Sequence, residues 1–117
     1  MPAIRPYRPE DGDRLAAICL ATADAGGDAA GQLEDDAIWS ELFLAPYLAR
    51  HPELCLVLES EDGRPIGYIV GTGDSEAFEA WFGREWWPRN ADRWPAPGRI
   101  ASRTAGMIAY GYARGAE

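Results

Sequence analysis

Apolar side chains recur at helical spacing in two segments of the first half of the chain. The first set is Leu15, Ile18, Cys19 and Thr22, and the second is Ile38, Trp39, Leu42 and Phe43. Because residues three and four positions apart share one face of a helix, the first set predicts an amphipathic helix over residues 10–23. The second set predicts helical structure over residues 36–50, which Pro46 breaks or restarts.

The spacing changes from helical to strand-like after Pro52. Two apolar runs, LCLVLE at 54–59 and PIGYIVGTGD at 65–74, flank the sequence Asp62-Gly63. Asp-Gly supplies the positive φ that a tight turn between antiparallel strands requires. The pattern therefore predicts a hairpin over residues 54–73, with strands at 54–60 and 65–73.

Weaker signals complete the expected secondary structure. Residues 3–7 predict a first strand at the edge of a sheet, because Pro6 cannot donate a ladder hydrogen bond. Ser75 is the expected N-cap of a helix over residues 75–87 that stops before Pro88. The tail 88–117 is loop-like, but weakly alternating large and small residues predict a strand over 107–113. The predicted fold class is α+β, a mainly antiparallel sheet with helices packed on it.

Composition and charge narrow the function classes. The 117 residues suit a single domain, and 11 Arg against 19 acidic residues give a net charge of −8. An acidic chain disfavours nucleic acids and anionic membrane surfaces as partners. No apolar run approaches the roughly 18 residues of a membrane span. Cys19 and Cys55 lie in apolar segments and indicate buried, reduced thiols of a cytoplasmic protein.

Five short segments resemble one protein family. They are YRPED at 7–11, DAGGDA at 24–29, APYLARHPEL at 45–54, GRPIGYIVG at 63–71 and EWWP at 85–88. Together with the predicted order of strands and helices, they resemble the N-terminal half of the GCN5-related N-acetyltransferase fold. The details are similar to bacterial acetyltransferases related to the acetyltransferase-like C-terminal domain of O-GlcNAcase.

The resemblance implies acetyl-CoA as the cofactor of the full-length fold. The family holds its pyrophosphate with a Q/R-x-x-G-x-G/A loop that opens a helix, where backbone N–H groups and the helix dipole meet the anion. Here Arg64 to Gly67 precedes a strand, and Arg114-Gly115 has no further glycine after it. We therefore expect a partial domain that ends before the fourth strand. Alone it should neither bind acetyl-CoA tightly nor transfer acetyl groups.

The resemblance also implies an acceptor site beside the loop that joins the first two helices. On this basis we predict that Asp24 and Asp28 bind a cationic amine, together with Tyr47 and Trp86; the catalytic residues are not identified. The alternative for the acidic loop is a solvated connection that caps the next helix with Asp35 or Asp36. The loop lacks the residue spacing of a calcium site, so no metal is expected.

Other candidate motifs favour structural roles. GTGD at 71–74 is a partial dinucleotide fingerprint and is better interpreted as the end of a strand. His51 and Cys55 lack the arrangement of a nucleophile with its base. Trp81, Trp86, Trp87 and Trp94 indicate core packing more than a stacking surface. The alternative to the enzyme class is a non-catalytic interaction module whose third strand, left as an open edge, pairs with a second copy or with the missing C-terminal half.

Overall fold

Three short strands form an antiparallel sheet in the computed structural model, which describes residues 2–24 and 26–114. They are β1 (Ala3–Pro6), β2 (Leu56–Glu59) and β3 (Pro65–Ile69), in the order β1-β2-β3. Ile4 pairs with Leu58, and Leu58 pairs with Gly67. The edge position predicted for the proline-containing first strand is confirmed, because β1 pairs only with β2 in the described sheet.

The predicted hairpin is confirmed, with strands shorter than expected. Gly63 has a φ of 81°, the left-handed conformation that the Asp-Gly turn needs. The N–H of Ser60 donates to the carbonyl of Arg64 at 2.8 Å and closes the turn. Leu54 belongs to a 3-10 turn (Pro52–Leu54), and β3 ends at Ile69, before the glycine-containing segment 71–74.

Three helices follow the predicted segments of the first half. A 3-10 turn (Pro9–Asp11) leads into α1 (Gly12–Thr22), and the second segment contains α2 (Ala37–Phe43) and α3 (Ala45–Arg50). The interruption falls at Leu44, just before Pro46, which occupies the first turn of α3. Proline is tolerated there because the first helical N–H groups have no partner within the helix.

The fourth helix differs from its prediction at both ends. α4 (Ser75–Trp81) is capped by Asp74, whose Oδ1 accepts the N–H of Ala77 at 3.0 Å, so Ser75 is the first helical residue and not the cap. The chain continues through a π-helical turn (Phe82–Trp86) and a 3-10 turn (Trp87–Asn90). Helical structure thus passes Pro88, which again lies in a first turn, where its missing N–H costs nothing.

The predicted strand over residues 107–113 is wrong, because this segment lies in α5 (Arg103–Ala113). The Ser102 hydroxyl accepts the N–H of Ala105 at 3.1 Å and starts the helix. Gly111 of this helix lies against the ring of Trp87. The local alternation of Ile108, Tyr110 and Tyr112 does not reveal this long-range contact. Among the described residues, no helix is long and apolar enough to cross a membrane.

The helices cover one face of the sheet and enclose the core. Large core side chains with almost no exposed surface include Leu15, Ile38, Leu42, Val57, Phe82 and Trp87. The predicted core role of the tryptophans is confirmed for Trp86, Trp87 and Trp94, whereas Trp81 is only partly buried. The rings of Trp87 and Trp94 stack with their centroids 5.6 Å apart. Aromatic burial therefore joins the segment after α4 to the rest of the core.

Candidate functional site

A cleft of about 360 Å³ lies between α1, α2 and β3, and we name it the aromatic cleft. Its lining residues are Cys19 and Thr22 from α1, Ala23 directly after α1, Trp39 and Phe43 from α2, and Tyr68 from β3. Concave surfaces with mostly apolar walls and a few polar groups are the usual form of small-molecule sites. The aromatic cleft has this form.

Local sequence spacing builds the walls of the aromatic cleft. Trp39 and Phe43 are four residues apart, so they lie on the same face of α2, with ring centroids 6.3 Å apart. Tyr68 is opposite the fully buried Val57 in the sheet register, which places its side chain on the helix-covered face. Three elements that are distant in sequence thereby converge on one cleft.

The polar groups at the aromatic cleft are neutral. Burial raises the pKa of the Tyr68 hydroxyl and of the Cys19 thiol. Neither group is therefore ionised near neutral pH, which argues against either one as a general base. The Nε1 donor of Trp39, a residue only 5% exposed, is buried without a hydrogen-bond partner in the described part of the chain.

The predicted amine-binding carboxylates, Asp24 and Asp28, lie in the loop that follows α1. Asp24 directly follows Ala23, and its Oδ2 accepts a hydrogen bond from Nε2 of Gln32 at 2.9 Å. Asp28 accepts the N–H of Ala30 at 2.9 Å. Both residues are exposed. Each ionised carboxylate has about four acceptor positions, so these contacts leave capacity for a cationic ligand.

The rest of the acidic loop is engaged in structural contacts. Asp35 accepts hydrogen bonds from Nε of Arg93 at 3.0 Å and from Nε1 of Trp94 at 3.1 Å, and its other oxygen accepts the N–H of Ala37 at the start of α2. The N–H of Glu34 donates to the Thr104 hydroxyl at 2.9 Å. These bonds fasten the second half of the loop to α5 and to the segment that precedes it.

Tyr47 and Trp86 lie outside the aromatic cleft. Tyr47 stacks on Phe78 with centroids 4.4 Å apart, and its hydroxyl accepts a hydrogen bond from Arg114 at 3.3 Å. Trp86 is buried and donates through Nε1 to the Glu41 carbonyl at 3.0 Å. Of the four predicted residues, Asp24 directly follows a lining residue of the aromatic cleft, and Tyr47 and Trp86 are not among its lining residues. A substrate role for these four residues stays a prediction.

A larger cleft of about 680 Å³ lies between α4 and α5. Its lining residues are Ser75, Glu76, Glu79, Ala80, Tyr110, Ala113 and Arg114. The guanidinium of Arg114 binds both carboxylate oxygens of Glu79, at 2.7 and 2.9 Å, and also donates to the Leu42 carbonyl. Because Arg114 and Glu79 already pair with each other, fewer of their donor and acceptor atoms are left for a ligand. We therefore prefer the smaller aromatic cleft as the candidate site.

Sequence patterns did not identify several residues of these clefts. Tyr68 and Trp39 belonged to predicted elements, and their spacing alone showed only that they face a core. Arg114 lay in the tail that was predicted as a loop and a strand. The position of Asp24 directly after a helix was a usable signal, because it places a carboxylate beside the last turn.

The glycines of the GTGD segment do not have the left-handed backbone of a tight glycine turn. Neither Gly71 nor Gly73 has a positive φ, and a Cβ on either would meet nothing within 4 Å. Phosphate loops use glycine for tight turns and for close approach of the backbone to the anion. The helix that follows has only seven residues. The segment is thus better described as the end of the hairpin, where Asp74 begins α4.

His51 and Cys55 do not face each other as a base and a nucleophile. The sulfur of Cys55 donates to the backbone carbonyl of His51 at 3.3 Å, and burial raises the pKa of the thiol. The ring nitrogen Nδ1 of His51 lies 3.4 Å from the Glu53 carboxylate. A neutral, buried thiol is a poor nucleophile. Both cysteines are buried and free, as the sequence predicted.

Comparison with known proteins assigns the fold. No family model matches the chain. The chain is similar to the crystal structure of SsHAT, with a TM-score of 0.89 and 37% sequence identity. The match covers 95% of this chain and 55% of the SsHAT chain, so the chain spans about half the length of that protein. The three-stranded sheet and its helices thus form part of an acetyltransferase-like fold.

Proposed function

We propose that this chain provides the acceptor side of an N-acetyltransferase, which transfers an acetyl group from acetyl-CoA to an amine. The observation that carries the proposal is the likeness to SsHAT, whose name denotes an acetyltransferase, at 37% identity over 95% of this chain. The five sequence segments that resemble the N-acetyltransferase family support the same class. The aromatic cleft, bordered by Asp24, supplies a place for the amine.

The aromatic cleft would bind the apolar part of the amine and hold its charged end near the loop. The rings of Trp39, Phe43 and Tyr68 offer apolar and π surfaces, and a cation near such rings gains electrostatic attraction. Asp24 and Asp28 would hold the ammonium group at the entrance. Because the Tyr68 hydroxyl is neutral, the proton that the amine loses would go to water or to another group.

In this proposal coenzyme A is not held by the glycine-containing segment at 71–74. A phosphate loop uses glycines of positive φ to turn its N–H groups toward the anion, and neither Gly71 nor Gly73 has a positive φ. We therefore derive no step on the thioester from this chain. In the proposed function, the chain positions the acceptor, and other residues of the complete fold hold the coenzyme.

A titration with a lysine side-chain analogue tests the proposed acceptor site. The indole ¹⁵N–H signals of the five tryptophans are followed while Nα-acetyl-lysine methylamide is added, and Trp39→Phe assigns one signal. We expect a saturable shift of the Trp39 signal that exceeds those of Trp86 and Trp87. The uncharged Nα-acetyl-norleucine methylamide should bind more weakly, because it lacks the ammonium group.

Matched charge variants locate the amine. Asp24→Asn/Asp28→Asn should weaken binding by about fivefold, roughly 1 kcal/mol for losing two exposed ion pairs. Glu10→Gln/Asp13→Asn removes the same charge near the opposite end of α1 and should leave binding within about twofold. Equal losses in the two double variants, or no shift of the Trp39 signal at saturation, would contradict the proposed site.

A second candidate function is a non-catalytic interaction module. It is favoured by the exposed aliphatic side chains on the uncovered face of the sheet, among them Ile4 at 67% and Ile69 at 64% exposure. In this alternative the chain completes its sheet with a partner and performs no transfer. Amine binding at the aromatic cleft distinguishes the two, because an interaction module does not require it.

A further inference from the structure

A row of three aromatic rings leads outward from the aromatic cleft. Trp39 and Phe43 line the cleft with ring centroids 6.3 Å apart, and the ring of Tyr110 on α5 follows at 6.2 Å from Phe43. Exposure rises along this row, from 5% at Trp39 to 39% at Phe43 and 47% at Tyr110. Single exposed apolar residues are ordinary, whereas neighbouring ones on different elements are typical of a binding surface.

The rings of Phe43 and Tyr110 connect the two clefts. Phe43 lines the aromatic cleft, and Tyr110 lines the larger cleft between α4 and α5. Because the two rings are neighbours, a ligand that extends past both of them can contact the linings of both clefts at once. The surface therefore suits an elongated ligand better than a compact one.

The larger cleft contributes one uncompensated carboxylate. Its Glu79 pairs with Arg114, so these opposite charges offset each other. Glu76 also lines the cleft and is exposed, and in the part of the chain that the structure describes it makes no ion pair or side-chain hydrogen bond. Together with the net charge of −8, this carboxylate favours a cationic group in the larger cleft.

We propose that the acceptor carries two cationic groups joined by an apolar spacer. The reacting amine would lie in the aromatic cleft, the spacer would cross the rings of Phe43 and Tyr110, and the second cation would lie beside Glu76. Aromatic faces attract both methylene groups and nearby cations, which suits such a ligand. The inference rests on the proposed function, because it takes the aromatic cleft as the place of the reacting amine.

Two amines of equal length test the second cation. In 8-aminooctan-1-ol a hydroxyl group replaces one of the two ammonium groups of 1,8-diaminooctane. Isothermal titration of the unaltered chain should show the diamine binding about fivefold more tightly, which is the gain expected for one exposed ion pair. The short 1,3-diaminopropane should show no such gain over 3-aminopropan-1-ol, because it cannot extend past both rings.

Surface variants locate the second cation and the spacer. Glu76→Gln should bring the long diamine to within about twofold of the amino alcohol and leave the amino alcohol unchanged. Tyr110→Ala should weaken both long ligands by about threefold, because the spacer loses one ring. Glu10→Gln removes an exposed carboxylate beside the start of α1 and should retain the full gain. All three variants should keep the circular dichroism spectrum of the unaltered chain.

A second pair of ligands distinguishes a small diamine from two basic side chains of one polypeptide. Acetyl-Lys-Ala-Ala-Lys methylamide is compared with the same peptide in which norleucine replaces the second lysine. A gain that Glu76→Gln removes in either pair supports the proposal, and the pair with the larger gain identifies the source of the second cation.

The failure of this inference differs from the failure of the proposed function. No gain in either pair, or a gain that Glu76→Gln leaves unchanged, would overturn the inference. If Nα-acetyl-lysine methylamide still shifts the Trp39 signal in that case, the proposed acceptor site stands without a second cation subsite. Failure of every amine to bind would refute the proposed function itself, and this inference with it.

Discussion

Asp11 joins the first strand to the turn that starts α1. Its two carboxylate oxygens each accept a hydrogen bond from the Arg5 guanidinium at 2.8 Å, and one also accepts the N–H of Arg8 at 2.9 Å. Asp11 is only 5% exposed. The hydrogen bonds from Arg5 hold the pKa of this carboxyl below its ordinary value of 3.8. The ionised form is therefore the one that stabilises the folded state.

Replacing Asp11 should make stability less dependent on pH. A carboxyl with a lowered pKa contributes stability above its unfolded pKa and loses it as the pH falls through the folded pKa. Urea unfolding at pH 7, 5 and 3 should show Asp11→Asn less stable than the unaltered chain at pH 7 and 5, with a smaller difference at pH 3. The exposed Asp13, replaced in Asp13→Asn, is the control and should change little. A difference for Asp11→Asn that stays constant down to pH 3 would contradict this role.

Sequence alone could place Asp11 near a helix start but could not identify its partner. Acidic residues are favoured in the first turn of a helix, so the pattern indicated a local role. Arg5 reaches Asp11 because β1 ends beside the 3-10 turn, and Arg5 also pairs with Glu59 of β2 at 2.5 Å. The network depends on strand register, which no local spacing encodes.

Helix α5 depends on one glycine that faces a tryptophan. A Cβ at Gly111 would lie 2.7 Å from Cδ2 of Trp87 and closer still to two other ring atoms. Trp87 is 1% exposed and packs between Phe82 and Trp94, so its ring has little room to move. The close approach of α5 to the core therefore requires glycine at this position.

Two glycine-to-alanine variants in α5 separate packing from helix propensity. Gly111→Ala should lower the free energy of unfolding by about 2 kcal/mol or more, because the added methyl group overpacks against Trp87. At Gly106 a Cβ would meet Ile100 at an ordinary 3.6 Å, so Gly106→Ala should raise stability by about 0.5 kcal/mol through helix propensity. Urea unfolding measures both. A Gly111→Ala variant as stable as the unaltered chain would show that α5 is not held against Trp87.

The hairpin and α5 show which elements a sequence pattern can predict. The hairpin depends on a local signal, because its turn needs a positive φ at Gly63 and the dipeptide Asp-Gly is typical of such turns. In α5, Gly106 and Gly111 lower helix propensity, while alternating Ile108, Tyr110 and Tyr112 imitate a strand. The helix forms because Gly111 packs against Trp87 and the Tyr112 hydroxyl donates to the Trp94 carbonyl at 2.7 Å. Tertiary contacts there override the local preference.

In the molecule as a whole, the helices cover one face of the sheet, and aliphatic side chains are exposed on the other face. The family resemblance predicted a partial acetyltransferase-like fold, and the SsHAT match over 95% of the chain supports that fold. The sequence analysis also predicted an open edge at β3, and β3 pairs only with β2 in the described sheet. The aromatic cleft could not be predicted, because α1, α2 and β3 meet there only after folding.

Isothermal titration of the unaltered chain with acetyl-CoA, alongside Nα-acetyl-lysine methylamide, compares the two sides of the reaction. We expect saturable heat with the lysine analogue and no binding of acetyl-CoA at micromolar affinity, because Gly71 and Gly73 do not have the positive φ of a phosphate-binding turn. Micromolar binding of acetyl-CoA, or no heat with the amine at millimolar concentration, would contradict assignment of this chain to the acceptor side.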